Sequence, residues 1–295
     1  NAVPAGVGLS ASPSVAPSPA PLEGSTPSAS PLASPAPSAG SPVVPTPLPT
    51  PAEVPQPVIA GIRPPVGFVL HVPVLMYHRI VPVAEAGNSL PGLVVPPQLF
   101  AAQMAALAAA GWHTITAGDL AADLAAGRRP PPRTFVITFD DGYDDGFTYA
   151  YPILRAHGFV ATYFVVAGRI GRTADALTPQ QVQALAAAGM EIGDHTYDHI
   201  DLAAASPSVV RYEIVAAALR IQALVGRPPV SFAYPFGRYS AAVETAVREA
   251  GLQIAFTTVE GSWESWATRF DAPRLRVGPW TRPATLLALL SRYAG

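Results

Sequence analysis

Two carboxylates and three imidazoles stand where strands should end. Asp140 and Asp141 follow the apolar, β-branched run Phe135-Val136-Ile137, inside Thr138-Phe139-Asp140-Asp141-Gly142. Adjacent carboxylates repel, and one of them normally takes a cation or a proton. Asp-Asp-Gly is also good turn chemistry, so a solvated turn is the competing reading. His195 and His199 are four residues apart. On a helical turn both imidazoles would lie on one face, as a bidentate metal clamp needs. His-x-x-x-His alone is a weak signal. An Asp from another strand end would complete a two-His-one-carboxylate site for zinc or a similar divalent ion, with positions left for water and substrate. Asp141 is the candidate third ligand. Asp140 would then lie beside the ion without binding it, placed to take a proton from water whose pKa the ion lowers.

These residues need elements that bring them to one place. The run Val72 to His78 reads as a first strand ending in a histidine, and Arg133 to Phe139 as the strand that delivers the Asp pair. Further strands are expected over Trp112 to Thr116, Phe159 to Val166, Met190 to Gly193, Pro229 to Ala233, Ile254 to Thr258 and Arg274 to Val277. Helices are expected over Pro97 to Ala110, Asp119 to Ala126, Tyr149 to His157, Thr178 to Ala188, Ser206 to Val225, Ala241 to Ala250 and Pro283 to Tyr293. Thr178 is an expected N-cap and Gly111, Gly127 and Gly189 are expected helix stops. Strand and helix alternate, which implies an α/β fold of parallel strands with helical crossovers, closed as a barrel or open as a wound sheet. In either, functional groups belong at the carboxyl ends of the strands. His78, Asp140 and Asp141, the His195/His199 pair and Pro235-Phe236-Gly237 all fall there.

Composition narrows the partners. The chain has 295 residues, 49% hydrophobic and 13% charged, with net charge −2. That is enough for one large domain, and it carries no basic excess that would suit nucleic acid or an anionic membrane. With no Cys, a metal would need His and carboxylate ligands. Residues 1–65 hold 18 of the 35 prolines, only three charged residues (Glu23, Glu53 and Arg63) and no aromatic. Such a stretch lacks the large side chains that offset ordering entropy, so it is expected to be a disordered, semi-rigid Pro/Ala/Ser spacer ahead of a catalytic domain at 66–295. No apolar run reaches the ~18–20 residues of a membrane span. The chain begins with Asn1, not Met, which fits an exported, extracellular or envelope-associated protein whose leader or anchor lies outside it.

The paired motifs Thr138-Phe139-Asp140-Asp141-Gly142 and His195-Thr196-x-x-His199 resemble the first two motifs of the NodB-type polysaccharide deacetylases, carbohydrate esterase family four. The resemblance spans roughly residues 66 to 295. It implies a distorted (β/α) barrel of about seven strands. It also implies metal-dependent removal of N-acetyl groups from amino-sugar polymers such as peptidoglycan, chitin or poly-N-acetylglucosamine. By the same resemblance Asp140 is the base, Asp141, His195 and His199 are the ligands of zinc (with cobalt or nickel as alternatives), and the backbone N–H of Phe236 is the oxyanion donor. Two motifs depart from the family pattern. Arg-x-Pro-Tyr/Phe reads Ala233-Tyr234-Pro235-Phe236 here, and no His follows His199. However, Pro73-Val74-Leu75-Met76-Tyr77-His78 resembles the start of a permuted subgroup that includes the biofilm poly-N-acetylglucosamine deacetylases, in which the early His is the acid. His78 therefore takes that role. Arg274 or Arg276 would replace the missing Arg beside Asp140, with Arg274 preferred.

Around this frame, Asp144 and Asp145 are expected to begin the next helix, and Asp194 and Asp198 to orient the imidazoles or sit in a solvated loop. His71, His113 and His157 read as structural or surface residues. Trp263 and Trp266 are placed in a rim loop, where they could stack on a sugar face or simply pack. The partner is a polysaccharide bound by a monomer, with no nucleic acid. Two readings compete: an O-acetyl xylan esterase or cyclic-imide amidase on the same site, and a non-catalytic, wall-associated glycan-binding protein.

Overall fold

The computed structural model describes residues 63–294. The expected spacer at 1–65 therefore lies outside the described residues, apart from 63–65. Seven parallel strands form a curled sheet: β1 (Val74–Tyr77), β2 (Thr134–Phe139), β3 (Thr162–Val165), β4 (Glu191–Asp194), β5 (Ser231–Ala233), β6 (Ile254–Phe256) and β7 (Leu275–Arg276). Their order is β6-β5-β4-β3-β2-β1-β7. The segment leading into β7 closes the ring. Ala272 bridges Phe256 of β6, and Leu275 and Arg276 pair with Leu75 and Met76 of β1. A short edge strand, His113–Ile115, pairs with the first half of β2.

Helices cover the outside of this sheet: α1 (Pro97–Ala109), α2 (Ala117–Ala126), α3 (Tyr151–Ala156), α4 (Pro179–Ala187), α5 (Pro207–Val225), α6 (Ala241–Glu249) and α7 (Pro283–Tyr293). The exception is α2, which lies across the amino ends of the strands. Its Leu120, Ala121 and Leu124 pack with Leu70, Val72, Val74, Ile254 and Phe256. Thr116 and Asp119 form a capping box at its start, and Gly127 ends it with a left-handed φ of 61°. The barrel thus has an apolar floor, and its open end is the carboxyl rim. The period of two along β2 sorts the layers. Phe135, Ile137 and Phe139 face the outer core against α1, α3 and α7, while Val136 faces the inner one. Thr138 and Asp140 continue the inner series to the rim.

Two pairs of two-residue strands complete the fold. Val69–Leu70 runs antiparallel to Glu264–Ser265, and Arg79–Ile80 runs parallel to Val94–Val95. The first pair corrects an expectation. It precedes β1, so Trp263 lies toward the amino end of the barrel and not on a rim loop, and Trp266 packs against the floor cluster with the Arg269 guanidinium 3.7 Å from its ring. A large exposed aromatic that does follow a strand's carboxyl end is Trp280, beyond β7, 68% exposed and against Gly92.

Candidate active site

Register brings the first residues together. Tyr77 pairs with Phe139, and the Asp140 N–H donates to the Tyr77 carbonyl at 3.0 Å. His78 and Asp140 are therefore neighbours just past the ends of β1 and β2. Ring closure adds Arg274, one residue before β7. Its Nη1 and Nη2 donate to the two carboxylate oxygens of Asp140, each at 2.7 Å, while Nη1 also reaches Thr138 Oγ1 at 3.1 Å and Nε reaches the Thr257 carbonyl at 3.0 Å. The guanidinium is wholly buried and Asp140 is 3% exposed. This fork matches both carboxylate oxygens at once, which a lysine cannot do. Arg276, the alternative partner, is exposed. Burial alone would raise the pKa of Asp140. The Arg274 guanidinium and the His195 and His78 imidazoles more than reverse that, and the carboxyl is held below its usual range. Burial lowers the pKa of His78, while the Asp140 and Asp141 charges act to raise it.

The second group lies beside the first. His195 Nε2 and His199 Nε2 converge on Asp141 Oδ1, at 3.5 and 3.2 Å. The three side chains offer ligand atoms that all lie within 4.8 Å of one another. The helical turn expected at His195–His199 does not form. Thr196 and His199 instead adopt left-handed φ values of 67° and 59°, and this irregular backbone turns both rings inward. Asp141 is left-handed as well, at φ 72°, followed by Gly142 at φ 67°. A Cβ on Gly142 would come within 3.2 Å of Val165, so the turn needs glycine on both counts. Backbone strain of this kind persists only where the surroundings over-determine it, and it clusters at functional sites.

The donor set fits a divalent ion. His195 Nδ1 lies 2.7 Å from the Ala233 carbonyl, which can only accept. Nδ1 must carry a proton, which leaves Nε2 of the neutral ring with the lone pair that a cation between it and Asp141 would take. Atoms at ~2.1 Å around a tetrahedral zinc lie ~3.4 Å apart, close to the two separations above. Burial acts to raise the pKa of Asp141, but with the imidazoles protonated the hydrogen bonds and charge they direct at it hold the carboxyl well below its usual range.

Phe236 heads the third feature. It sits at the end of β5 with a left-handed φ of 59°, 57% exposed, its ring 4.8 Å from that of His199. The turn's own bonds run from Gly237 N–H to the Tyr234 carbonyl and from Arg238 N–H to the Pro235 carbonyl.

Other candidates fall elsewhere. Asp194 is buried and accepts from the Thr196 N–H at 2.8 Å, so it shapes the turn and does not orient an imidazole. The His195 partner is a backbone carbonyl. His71 bonds the Ser262 carbonyl, His113 bonds Thr134 Oγ1, and His157 lies against the Phe159 ring. Asp145 does begin the next helix, as the N-cap residue of Gly146–Ala150, but its side chain makes no cap bond. It is buried and paired with Arg79, whose guanidinium lies 4.1 Å from the Tyr143 ring. Sequence reasoning missed Arg79. The available signal was a charge inside an otherwise apolar run, directly after His78.

Comparison with known proteins places the chain in a family. A family model described as polysaccharide deacetylase matches residues 127–255. The putative polysaccharide deacetylase YxkH of Bacillus subtilis is 32% identical over 208 residues, which is 70% of this chain and 72% of that protein. A peptidoglycan-N-acetylglucosamine deacetylase of Bacillus cereus is 29% identical over 136 residues, 46% of this chain and 61% of its own length. Among solved structures, the Streptococcus pyogenes deacetylase PplD, in complex with acetate, superposes with a TM-score of 0.69 at 29% identity, covering 74% of this chain and 97% of that one. The chain belongs to the polysaccharide deacetylase family.

Proposed function

We propose that this protein hydrolyses the N-acetyl groups of an amino-sugar polysaccharide, with Asp141, His195 and His199 holding a divalent cation, zinc being the simplest choice. The observation that carries the reading is the convergence of those three donors next to an ionised carboxylate, Asp140, that an arginine already satisfies. A cation in that position supplies Lewis acidity: it brings the pKa of water down towards ~7 and draws charge from a carbonyl oxygen.

The protein's own groups do the rest. Asp140 accepts the proton of the attacking water. Arg274 keeps that carboxylate ionised and fixed, so the proton meets a charged, oriented base. The carbonyl oxygen gains charge as the carbon becomes tetrahedral, and the Phe236 N–H faces it as a preorganised donor. His78 then gives a proton to the departing nitrogen. An amine leaves an amide poorly unless it is protonated, so an acid in the same site as the base suits an N-acetyl substrate. Residues 66–295 act as the catalytic domain, outside the cell or in the envelope.

Acetate release tests this directly. N-acetylchitooligosaccharide, peptidoglycan, poly-N-acetylglucosamine and acetylxylan are compared with and without a chelator. The expected result is release from one of the amino-sugar substrates, loss on chelation, and recovery with zinc or cobalt. Release from acetylxylan alone would establish an esterase, and glycan binding without acetate would establish a binding protein.

Among the described residues no helix is long and apolar enough to cross a membrane.

A further inference from the structure

The hydrogen-bonded ladder between β1 and β2 has its last pair in register at Tyr77 and Phe139. After the Asp140 N–H bond to the Tyr77 carbonyl no further pair joins the two segments, one carrying His78 and the other Asp141. Their relative placement past that point must be set by something else. The residue after His78 supplies it. Arg79 Nε donates to Asp145 Oδ2, and the next backbone N–H, that of Ile80, donates to Asp145 Oδ1 at 2.8 Å. One carboxylate thus takes two donors from the His78 strand. That carboxylate lies four residues after Asp141 on the other chain. Arg79 also donates through Nη1 to Ser89 Oγ at 2.8 Å, and its guanidinium stacks on Tyr143, two residues past Asp141. Arg169 covers the same ring, 4.9 Å from its centroid, and is itself fixed by both oxygens of Asp175 at 3.0 Å. The Arg79 and Asp145 side chains are only 9% and 3% exposed.

A buried ion pair is a poor device for stability, since a well-packed apolar pair of the same volume does as well or better. What it does supply is direction, because its bonds form in one register only. We infer that Arg79 and Asp145 are positioning residues for His78: they clamp the strand end that carries the acid to the loop that carries Asp140 and Asp141. The inference rests on the reading of His78 as the acid. A displacement of ~1 Å in an acid or base can cost ~100-fold in rate, so a clamp of this kind has kinetic consequences without touching substrate.

A double-mutant cycle with His78 separates this from a merely structural role. Asp145→Asn keeps an acceptor for the Ile80 N–H and removes the charge facing Arg79. Arg79→Lys keeps the charge and removes the fork, and it serves if Asp145→Asn does not fold. Either change is expected to lower kcat for acetate release by about 10–100-fold, with KM within about 2-fold. In the His78→Ala background the same change is expected to cost less than about 3-fold, because the group it positions is gone. Equal losses in both backgrounds would overturn the inference. The imidazole nitrogen resonances give a readout independent of turnover. Those of His78 are expected to shift in the variant while those of His195 and His199 stay. Unmoved His78 resonances would overturn the clamp, whether or not the wild-type protein releases acetate. A wild type that releases none while His78 shifts would overturn the proposed activity and leave the clamp standing.

Discussion

At the carboxyl rim Asp140 is buried against a guanidinium, whereas at the amino floor Glu191 and Glu264 are buried among neutral groups. Glu191 accepts from the Gly118 N–H at 2.7 Å, from Ser231 Oγ at 2.6 Å and from Thr162 Oγ1 at 3.1 Å. Glu264 accepts a long bond from the Val72 N–H, 3.3 Å, and its Oε1 has no partner among the described residues. The titration of the two ends diverges accordingly. Burial pushes both glutamates up, Glu264 far up, and their neutral donors only soften it. At the rim Arg274 and the imidazoles overcome the same burial. Between Asp140 and the two glutamates the difference lies in the partner and not in depth, although an arginine does not always prevail: burial still pushes the Asp145 carboxyl up beside Arg79. The rim favours the ionised form of the carboxylate proposed as the base, and the floor holds carboxyls that favour the neutral form.

The most severe way to break this comparison is to remove the rim charge. Asp140→Asn is expected to lower acetate release by about 1000-fold, within the ~10²–10⁴ range of a lost proton-transfer group. It also leaves Arg274 buried without its anion, which is expected to cost about 3 kcal/mol in urea unfolding. The pH sign is distinct. A carboxyl whose folded pKa is depressed contributes stability above the unfolded pKa of ~3.9 and loses it as pH falls through the folded value. The acid limb of the stability curve should therefore flatten in Asp140→Asn. Turnover within tenfold of wild type would end the reading of Asp140 as the base.

Arg274→Lys is a gentler probe of the same pair. The charge stays, but a single ammonium cannot meet both carboxylate oxygens, Thr138 Oγ1 and the Thr257 carbonyl in one plane. We expect about a tenfold fall in kcat and a loss of about 1–2 kcal/mol. An unchanged kcat would show that the guanidinium supplies charge and not orientation.

Much of this architecture is readable from the chain. The β-branched runs and the glycine stops give the alternation of strand and helix, and each polar cluster falls at a strand's carboxyl end. What escapes is whatever depends on distant pairing. Two-residue strands such as Val69–Leu70 and Glu264–Ser265 carry no periodicity, and without them Trp263 appears to belong to the rim. Spacing suggests a helical turn at His195–His199, yet the left-handed Thr196 and His199 do the same work by a route that no propensity indicates. Arg274 is marked only by the missing arginine before Pro235; the ring closure that carries it to Asp140 is invisible in sequence. Asp145 is legible as a helix-start residue, but its buried bond to Arg79 is not, because that cation lies 66 residues away.

Glu264→Gln is the mildest change and sharpens the other half of the comparison. The folded pKa of Glu264 lies above its unfolded value, so its contribution to stability is fully present below the unfolded pKa of ~4.3 and is lost as pH rises towards the folded one. The loss approaches ~1.4 kcal/mol per pH unit across that window, because the unfolded chain releases a proton that the floor retains. Glutamine has no proton to release. The variant should therefore match the wild type best near the unfolded pKa of ~4.3 and gain on it as pH rises from there towards the folded one, with kcat unaltered because the residue sits at the far end of the barrel. Urea unfolding at several pH values reads the difference. Parallel curves would mean that Glu264 is already ionised when folded, and that a cation or bound water compensates it as Arg274 compensates Asp140.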